Sequence, residues 1–337
     1  MRFALNDFAD RMGYRILRAL PAEAAHDLGK WAMARRMLAP GSITFTAGKA
    51  PVLFGTTLPN PLGLAAGFDK NGQIVDAAID YGFGFVEVGS VTFRGGPGNP
   101  KPRMFRVDDQ TIMNRMGLNG DRAEVVAGRL TKVKTRFFGV NIAKTHSPDI
   151  LGDAAIEDIC SAYRLLNRFG LYTAINVSCP NTREGRTFED PAPLAELLAA
   201  LNAVRKGQTL PPLLVKLSPV LDPGEGDGAA RLEQVLDVCN EAKIDGYICC
   251  NTLPYEHPKF GRGGISGNTI RPKAWRICEF ITSRTKAPVI GCGGILTRDH
   301  LDAYLQRGCV AAQAYNGFVR GPLAGVRFAH RILGGSE

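Results

Sequence analysis

From residue 61 onward the chain alternates between short apolar runs and stretches of helical periodicity. The runs at 62–66, 83–88, 137–142, 172–177, 213–217, 246–250, 289–291 and 310–315 are nearly unbroken in apolar residues. A strand exposed on one face alternates apolar with polar positions, so unbroken runs predict a parallel sheet covered on both sides. Between them, 74–81, 156–169, 194–204, 229–242, 272–285 and 298–307 place apolar residues three and four apart and predict helices. Eight strands alternating with helices predict an α/β fold, a (β/α)8 TIM barrel; an open doubly wound sheet is the other way to arrange the same units. The segment 41–60, with apolar runs 43–45 and 52–54 around Gly48, is expected to form a hairpin that closes the bottom of the barrel.

Residues 1–40 follow a different pattern and form an N-terminal helical extension ahead of a barrel spanning 41–337. Leu5, Phe8, Met12 and Ile16 share one helical face, Leu28, Trp31, Ala34 and Leu38 another, with a break at Leu20-Pro21. Seven Arg and Lys against four Asp and Glu give this segment a net charge of +3. Neither helix has the roughly 20 uninterrupted apolar residues of a membrane span. A basic amphipathic pair can lie in a membrane interface, or its apolar faces can cap a core; periodicity alone favours the cap.

Composition narrows the chemistry. At 337 residues the chain can bury a large core, and its formal net charge of +9 favours anionic ligands or surfaces without choosing among them. No motif points to nucleic acid. The eight cysteines contain no C-x-x-C and mostly sit in apolar runs, and no signal peptide precedes them, so reduced thiols in the cytoplasm are expected. The five histidines show no metal spacing, and no metal site is expected.

Chemistry in a (β/α)8 barrel sits at the C-terminal ends of the strands. Here those ends read Gly67-Phe68-Asp69-Lys70, Gly89-Ser90, Asn141 with Lys144, Asn176 to Asn181, Lys216, Asn251-Thr252, Gly293-Gly294 and Asn316-Gly317. A ring of amides, lysines and glycines predicts a bound polar ligand. The glycine loops after strands seven and eight suit a phosphate, whose oxygens their backbone N–H groups can approach. Lys216, in the middle of an apolar strand, is costly to bury unless an anion stabilises it. A flavin that gains negative charge on reduction is such an anion, and a phosphosugar is another. At the end of the fourth strand, Cys179 stands between Asn176 and Asn181, and Pro180 ends the strand. Taken alone, this thiol is as readily a small core residue as a reactive one.

The segments Asn60 to Gly72, Gly98 to Arg106, Asn114 to Gly117, Gly139 to Ile142, Ile175 to Thr182, Gly263 to Gly267 and Gly291 to Ile295 resemble, in collinear order, the dihydroorotate dehydrogenases, specifically the membrane-associated, quinone-using class 2. The resemblance runs from about residue 14 to 330 and includes the N-terminal helices. It implies FMN held by the positions of Ala66, Gly67, Asn141, Asn176, Lys216, Gly267, Gly294, Tyr315 and Asn316. It implies a dihydropyrimidine carboxylate met by Lys70, Asn114, Asn176, Asn181, Asn251 and Thr252. It further implies a quinone near His26, Arg103 and Tyr315, and a peripheral position on the cytoplasmic side of a membrane. The implied activity is oxidation of dihydroorotate to orotate in pyrimidine biosynthesis. A related dihydropyrimidine or other cyclic amide is an alternative substrate, and a non-catalytic phospho-ligand barrel an alternative of another class.

Departures from class 2 cluster around the implied base. Cys179 stands where that class has Ser and the soluble class 1 has Cys, so the resemblance makes Cys179 the general base. Leu118 replaces a Phe, Asn316 a small hydroxyl, and Leu253 a Thr.

Overall fold

The computed structural model describes residues 2–43, 50–178 and 187–334. Cys179 and Asn181 lie outside the described residues, as does the 44–49 part of the expected hairpin. The side chains of Leu5 and Phe8 are outside them too.

Eight parallel strands close a barrel: β1 (Leu62–Leu64), β2 (Phe85–Val91), β3 (Phe138–Ile142), β4 (Tyr172–Asn176), β5 (Leu213–Leu217), β6 (Gly246–Cys249), β7 (Val289–Cys292) and β8 (Ala311–Ala314). Each is hydrogen-bonded to the next in sequence, and β8 returns to β1 with Gln313 opposite Gly63. The open doubly wound alternative is thereby excluded. Helices Val75–Asp80, Ala123–Leu130, Asp153–Leu166, Pro191–Arg205, Gly228–Glu241, Arg271–Thr282 and Arg298–Gln306 cover the outside, and their apolar faces and the outward faces of the strands make the main core. The helix Ala123–Leu130 has no counterpart in the sequence reading.

Inside the barrel, large residues sit against glycines. A Cβ on Gly63 would come within 2.4 Å of the Phe85 ring, and one on Gly139 within 2.2 Å of the Tyr172 ring. These two aromatics share a lower layer with Leu214, Ile248 and Ile290. A hairpin of Val52–Leu53 and Thr56–Thr57 seals that layer, with Leu53 buried in it and Phe54 packed against it. This hairpin turns at Phe54-Gly55, where Gly55 takes a φ of +73°.

Above the barrel mouth lies a four-stranded antiparallel sheet of Leu253–His257, Gly261–Gly267, Thr111–Asn114 and Met104–Arg106, in that spatial order. Two helices precede the barrel, α1 (Arg2–Ala19) and α2 (Ala22–Ala34). Their docking is polar. Arg106 donates to the carbonyls of Leu17, Arg18 and Leu20 at 3.1, 3.0 and 2.6 Å, satisfying acceptors that the end of α1 leaves free. The buried carboxylate of Asp10 accepts from Val326 N at 2.8 Å and from Arg331 at 2.7 Å. Met12, Ile16, Leu28, Trp31 and Leu38, by contrast, are 41% to 57% exposed. These apolar faces do not cap the core, as periodicity favoured; they point outward. No helix among the described residues is long and apolar enough to cross a membrane.

Candidate active site

Two cavities meet at the mouth. The larger, about 450 Å³, is bounded by the strand ends and the antiparallel sheet above them. Its lining includes Ala66, Gly67, Lys70, Asn114, Asn176, Lys216, Asn251, Thr252, Gly267, Gly294, Tyr315 and Asn316. The smaller, about 120 Å³, is mostly apolar and runs between α1, α2 and the barrel, past His26, Phe68 and Phe318. Met104, Ile112 and Tyr315 belong to both walls.

One hydrogen-bonded circuit runs round the large cavity. Asn251 donates to the Asn176 carbonyl oxygen at 3.2 Å, Asn176 donates to Ser90 Oγ at 3.5 Å, and Ser90 donates to the Asn141 oxygen. Asn141 in turn donates to Glu87 Oε1 at 2.9 Å. Its side chain is fully buried, so Asn141 lies behind Ser90 and below the wall rather than on it.

Glu87 is the centre of this layer. Besides Asn141, its carboxylate accepts from Lys216 Nζ at 2.9 Å, from Tyr172 Oη at 3.1 Å and from Gln313 Nε2 at 2.6 Å. Burial alone would pull the lysine's proton off, and Glu87 more than reverses this, holding the Lys216 ammonium above its ordinary range. The anion that a buried Lys216 requires is thus supplied by the protein itself. The lysine on its own does not call for a flavin.

Lys70 is the opposite case. Among the described residues it has no hydrogen-bond or ion-pair partner, and burial, with Lys30 and Arg103 nearby, lowers its pKa to about 8. An unpaired cation in a cavity suits an anionic ligand. Asn114, whose amide reaches only the Gly264 carbonyl at 3.4 Å, and Thr252 face the same space.

The glycine loops come together as backbone. Gly267 (φ +101°) and Gly294 (φ +67°) approach so closely that a Cβ on Gly294 would stand 2.6 Å from the Gly267 carbonyl oxygen. A Cβ on Gly267 would stand 2.2 Å from Asn316 Nδ2. Asn316 donates to the Gln110 carbonyl, which ties the strand-eight loop to the sheet above, and its own oxygen is buried without a partner. Gln313 Oε1, in the cavity wall, is also buried and unpartnered.

At the junction of the cavities, His26 is held neutral, its pKa lowered to about 3 by burial and then by Lys70 and Lys30. Its ring meets Phe68 edge to face at 4.8 Å, and Tyr315 Oη lies 3.4 Å from its Nδ1. Arg103 lines neither cavity. Its guanidinium is spent on Glu23, at 3.0 and 2.9 Å, and on the carbonyls of Pro97 and Asn99. The arginines on the apolar cavity are Arg18, Arg320 and, three residues beyond Arg103, Arg106. Arg103 and Arg106 alternate along one sheet segment with Met104 and Phe105 between them, and sequence spacing alone did not separate them.

The dihydroorotate dehydrogenase family model matches residues 50–333. The dihydroorotate dehydrogenase (quinone) of Nostoc sp. is 37% identical over 294 residues, covering 80% of this chain and 75% of that one. That of Mycolicibacterium smegmatis is 35% identical over 334 residues, covering 92% and 91%. The chain belongs to the dihydroorotate dehydrogenase family. Among solved structures, Eimeria tenella DHODH in complex with ferulenol superposes with a TM-score of 0.79 at 28% identity, covering 93% of this chain and 89% of that one.

Sequence reasoning missed Glu87, Tyr172 and Gln313, and it put Ser90 at the mouth without giving it a part in the site. A signal was present for two of them: Glu87 is the one charge in the run 83–88, and Gln313 the one amide in 310–315. The reasoning that singled out Lys216 applies to both.

Proposed function

We propose that this chain oxidises dihydroorotate to orotate with bound FMN and delivers the electrons to a membrane quinone. One observation carries the reading: a cavity lined by an unpaired lysine and six Asn or Thr residues abuts an apolar cavity across a shared wall at Tyr315. The first suits an anionic cyclic amide, the second an apolar ring.

The residues fit FMN. The close-packed Gly267 and Gly294 leave backbone groups free to approach a phosphate, and the unpartnered oxygens of Gln313 and Asn316 are acceptors awaiting a donor. Bound there, FMN would supply the two-electron acceptor for the substrate and the donor for the quinone. Lys70 would bind the substrate carboxylate, and Asn114, Asn176, Asn251 and Thr252 would orient its ring amides. Cys179 would take the carbon-bound proton; a thiol begins near 8.5, so its thiolate is accessible close to neutrality. Arg106 and the neutral His26 would border the quinone, and the exposed faces of α1 and α2 would rest in the membrane interface on its cytoplasmic side.

Anaerobic mixing with dihydroorotate is the test. Loss of the oxidised flavin's visible absorbance, and its return on adding a quinone, are expected. A purified protein that holds no flavin, or whose flavin dihydroorotate leaves oxidised, overturns the reading.

A further inference from the structure

We propose that Glu87 is the fixed counter-ion of Lys216, keeping that lysine charged in every redox state so that it takes up no proton when the cofactor is reduced. The redox part of this proposal rests on the FMN reading above; the part about the lysine does not.

Geometry carries it. The Lys216 ammonium and the Glu87 carboxylate are 2.9 Å apart, with side chains 5% and 0% exposed. Glu87 comes from β2 and Lys216 from β5, on opposite sides of the barrel, so the pair spans the floor of the cavity. The second carboxylate oxygen is held by Tyr172 from β4 and Gln313 from β8, and Asn141 from β3 shares the first. Four strands thus supply the donors that fix this charge. With that carboxylate 2.9 Å away, the Lys216 ammonium is held above its ordinary range in spite of burial. Among the described residues, the other titratable groups facing the pair include Cys292 of β7 and Cys250 just past β6, whose thiols burial pushes up, Cys250 to about 11. Tyr172 is likewise raised by burial and by Glu87. All three are neutral near pH 7, so among the described residues Glu87 alone balances Lys216.

The consequence follows from charge balance. FMN bound here would supply the acceptor for a hydride, two electrons and one proton, and Lys216 would be the ammonium that stabilises the negative charge so gained. With Glu87 present, Lys216 is already charged before reduction, and no further proton moves. Without the carboxylate, a buried ammonium has lost its partner and sheds its proton to solvent. Reduction then draws one proton from solvent onto Lys216 Nζ.

Two measurements decide the matter. In the parent protein, with or without flavin, the side-chain nitrogen resonance of 15N-labelled Lys216 is expected to stay in the ammonium form from pH 6 to 9; titration within that window overturns the proposal and needs no variant. The second is the flavin midpoint potential of Glu87→Gln over the same range. It is expected to fall more steeply with pH than the parent's by up to one proton per electron pair. That is a tenfold change in the redox equilibrium for each pH unit, about 30 mV. Superimposable slopes overturn the proposal. If the chain proves to bind no flavin, only the second measurement is lost, and the nitrogen titration still gives its answer.

Discussion

Lys70 links the electrostatics of the free protein to catalysis. Its pKa of about 8, against an ordinary 10.5, reflects burial first and then repulsion from Lys30 and Arg103, partly offset by Glu23 and Asp27. At roughly 1.4 kcal/mol for each tenfold change in proton affinity, that drop is a cost of about 3 kcal/mol for carrying the charge in the folded protein. The sign follows. The folded pKa is depressed, so this cost is absent above the unfolded value near 10.5 and present in full once pH has fallen through about 8. Lys70→Met should therefore stabilise the free protein at pH 6 to 7 and leave it nearly unchanged above pH 10. The same substitution removes a charge-assisted contact to the substrate carboxylate, worth ~1.5–3 kcal/mol, and should lower kcat/KM by roughly one to two powers of ten. In the parent, kcat/KM reports the free enzyme and should decline above about pH 8 as Lys70 loses its proton. Substrate raises that pKa, so the decline in kcat should come at higher pH. Thermal melts and the pH dependence of flavin reduction by dihydroorotate, measured for both proteins, test this. A parent kcat/KM that stays level to pH 10, or a Lys70→Met protein that keeps the decline near 8, refutes it.

Cys179→Ala should slow flavin reduction by about two to four powers of ten, and Cys179→Ser should retain some activity with its profile moved to higher pH; unchanged reduction in the Ala variant makes the thiol a packing residue. Arg106→Met, which also frees the end of α1, should raise the KM for quinone and leave flavin reduction by substrate within about twofold, whereas Arg103→Met should act mainly on stability, because it takes one of two cations from Glu23 and the donor from the Pro97 and Asn99 carbonyls. Equal effects of the two on quinone KM would remove the distinction drawn from their positions. Ile16→Asp combined with Trp31→Asp should abolish sedimentation with anionic vesicles and turnover with a long-chain quinone while sparing flavin reduction, since both side chains project into solvent. Full vesicle binding by that variant would show that another surface meets the membrane.

The strands were legible because each carries its burial in its own sequence. A run such as 213–217 is apolar at every position but Lys216, and it is β5 residue for residue. The sheet over the mouth was not legible. Its Gly261–Gly267 strand contains four glycines, and its Met104–Arg106 strand is three residues long, so neither shows apolar alternation. They form strands because partners across the sheet supply the hydrogen bonds. Positions along the chain also located most of the cavity wall, since a (β/α)8 barrel sends its strand ends to one place. What sequence did not resolve was depth. Asn141 and Ser90 both end strands, yet one lies beneath the wall and the other on it. Likewise Arg103 and Arg106 face different neighbours only because of how α1 and α2 dock.

The docking of those helices also explains how two cavities of opposite character can share a wall. Lys70 needs an anion and a polar surround, while a quinone ring needs an apolar one, and the residues between them must be neutral to serve both. Phe68, two residues before Lys70 in sequence, is buried on the apolar side against His26 and Phe318. His26 is kept uncharged by burial and then by the same lysine, and burial pushes the Tyr315 phenol above its ordinary range, so both rings are neutral near pH 7. Neutral aromatic rings therefore stand between the polar cavity and the apolar one. Electrons can cross such a partition, but a second charged group beside Lys70 would be repelled, as His26 is kept from protonating. A positive charge introduced at His26 would depress Lys70 further and weaken binding of the substrate carboxylate, so the neutrality of the quinone side is a condition for the charge on the substrate side.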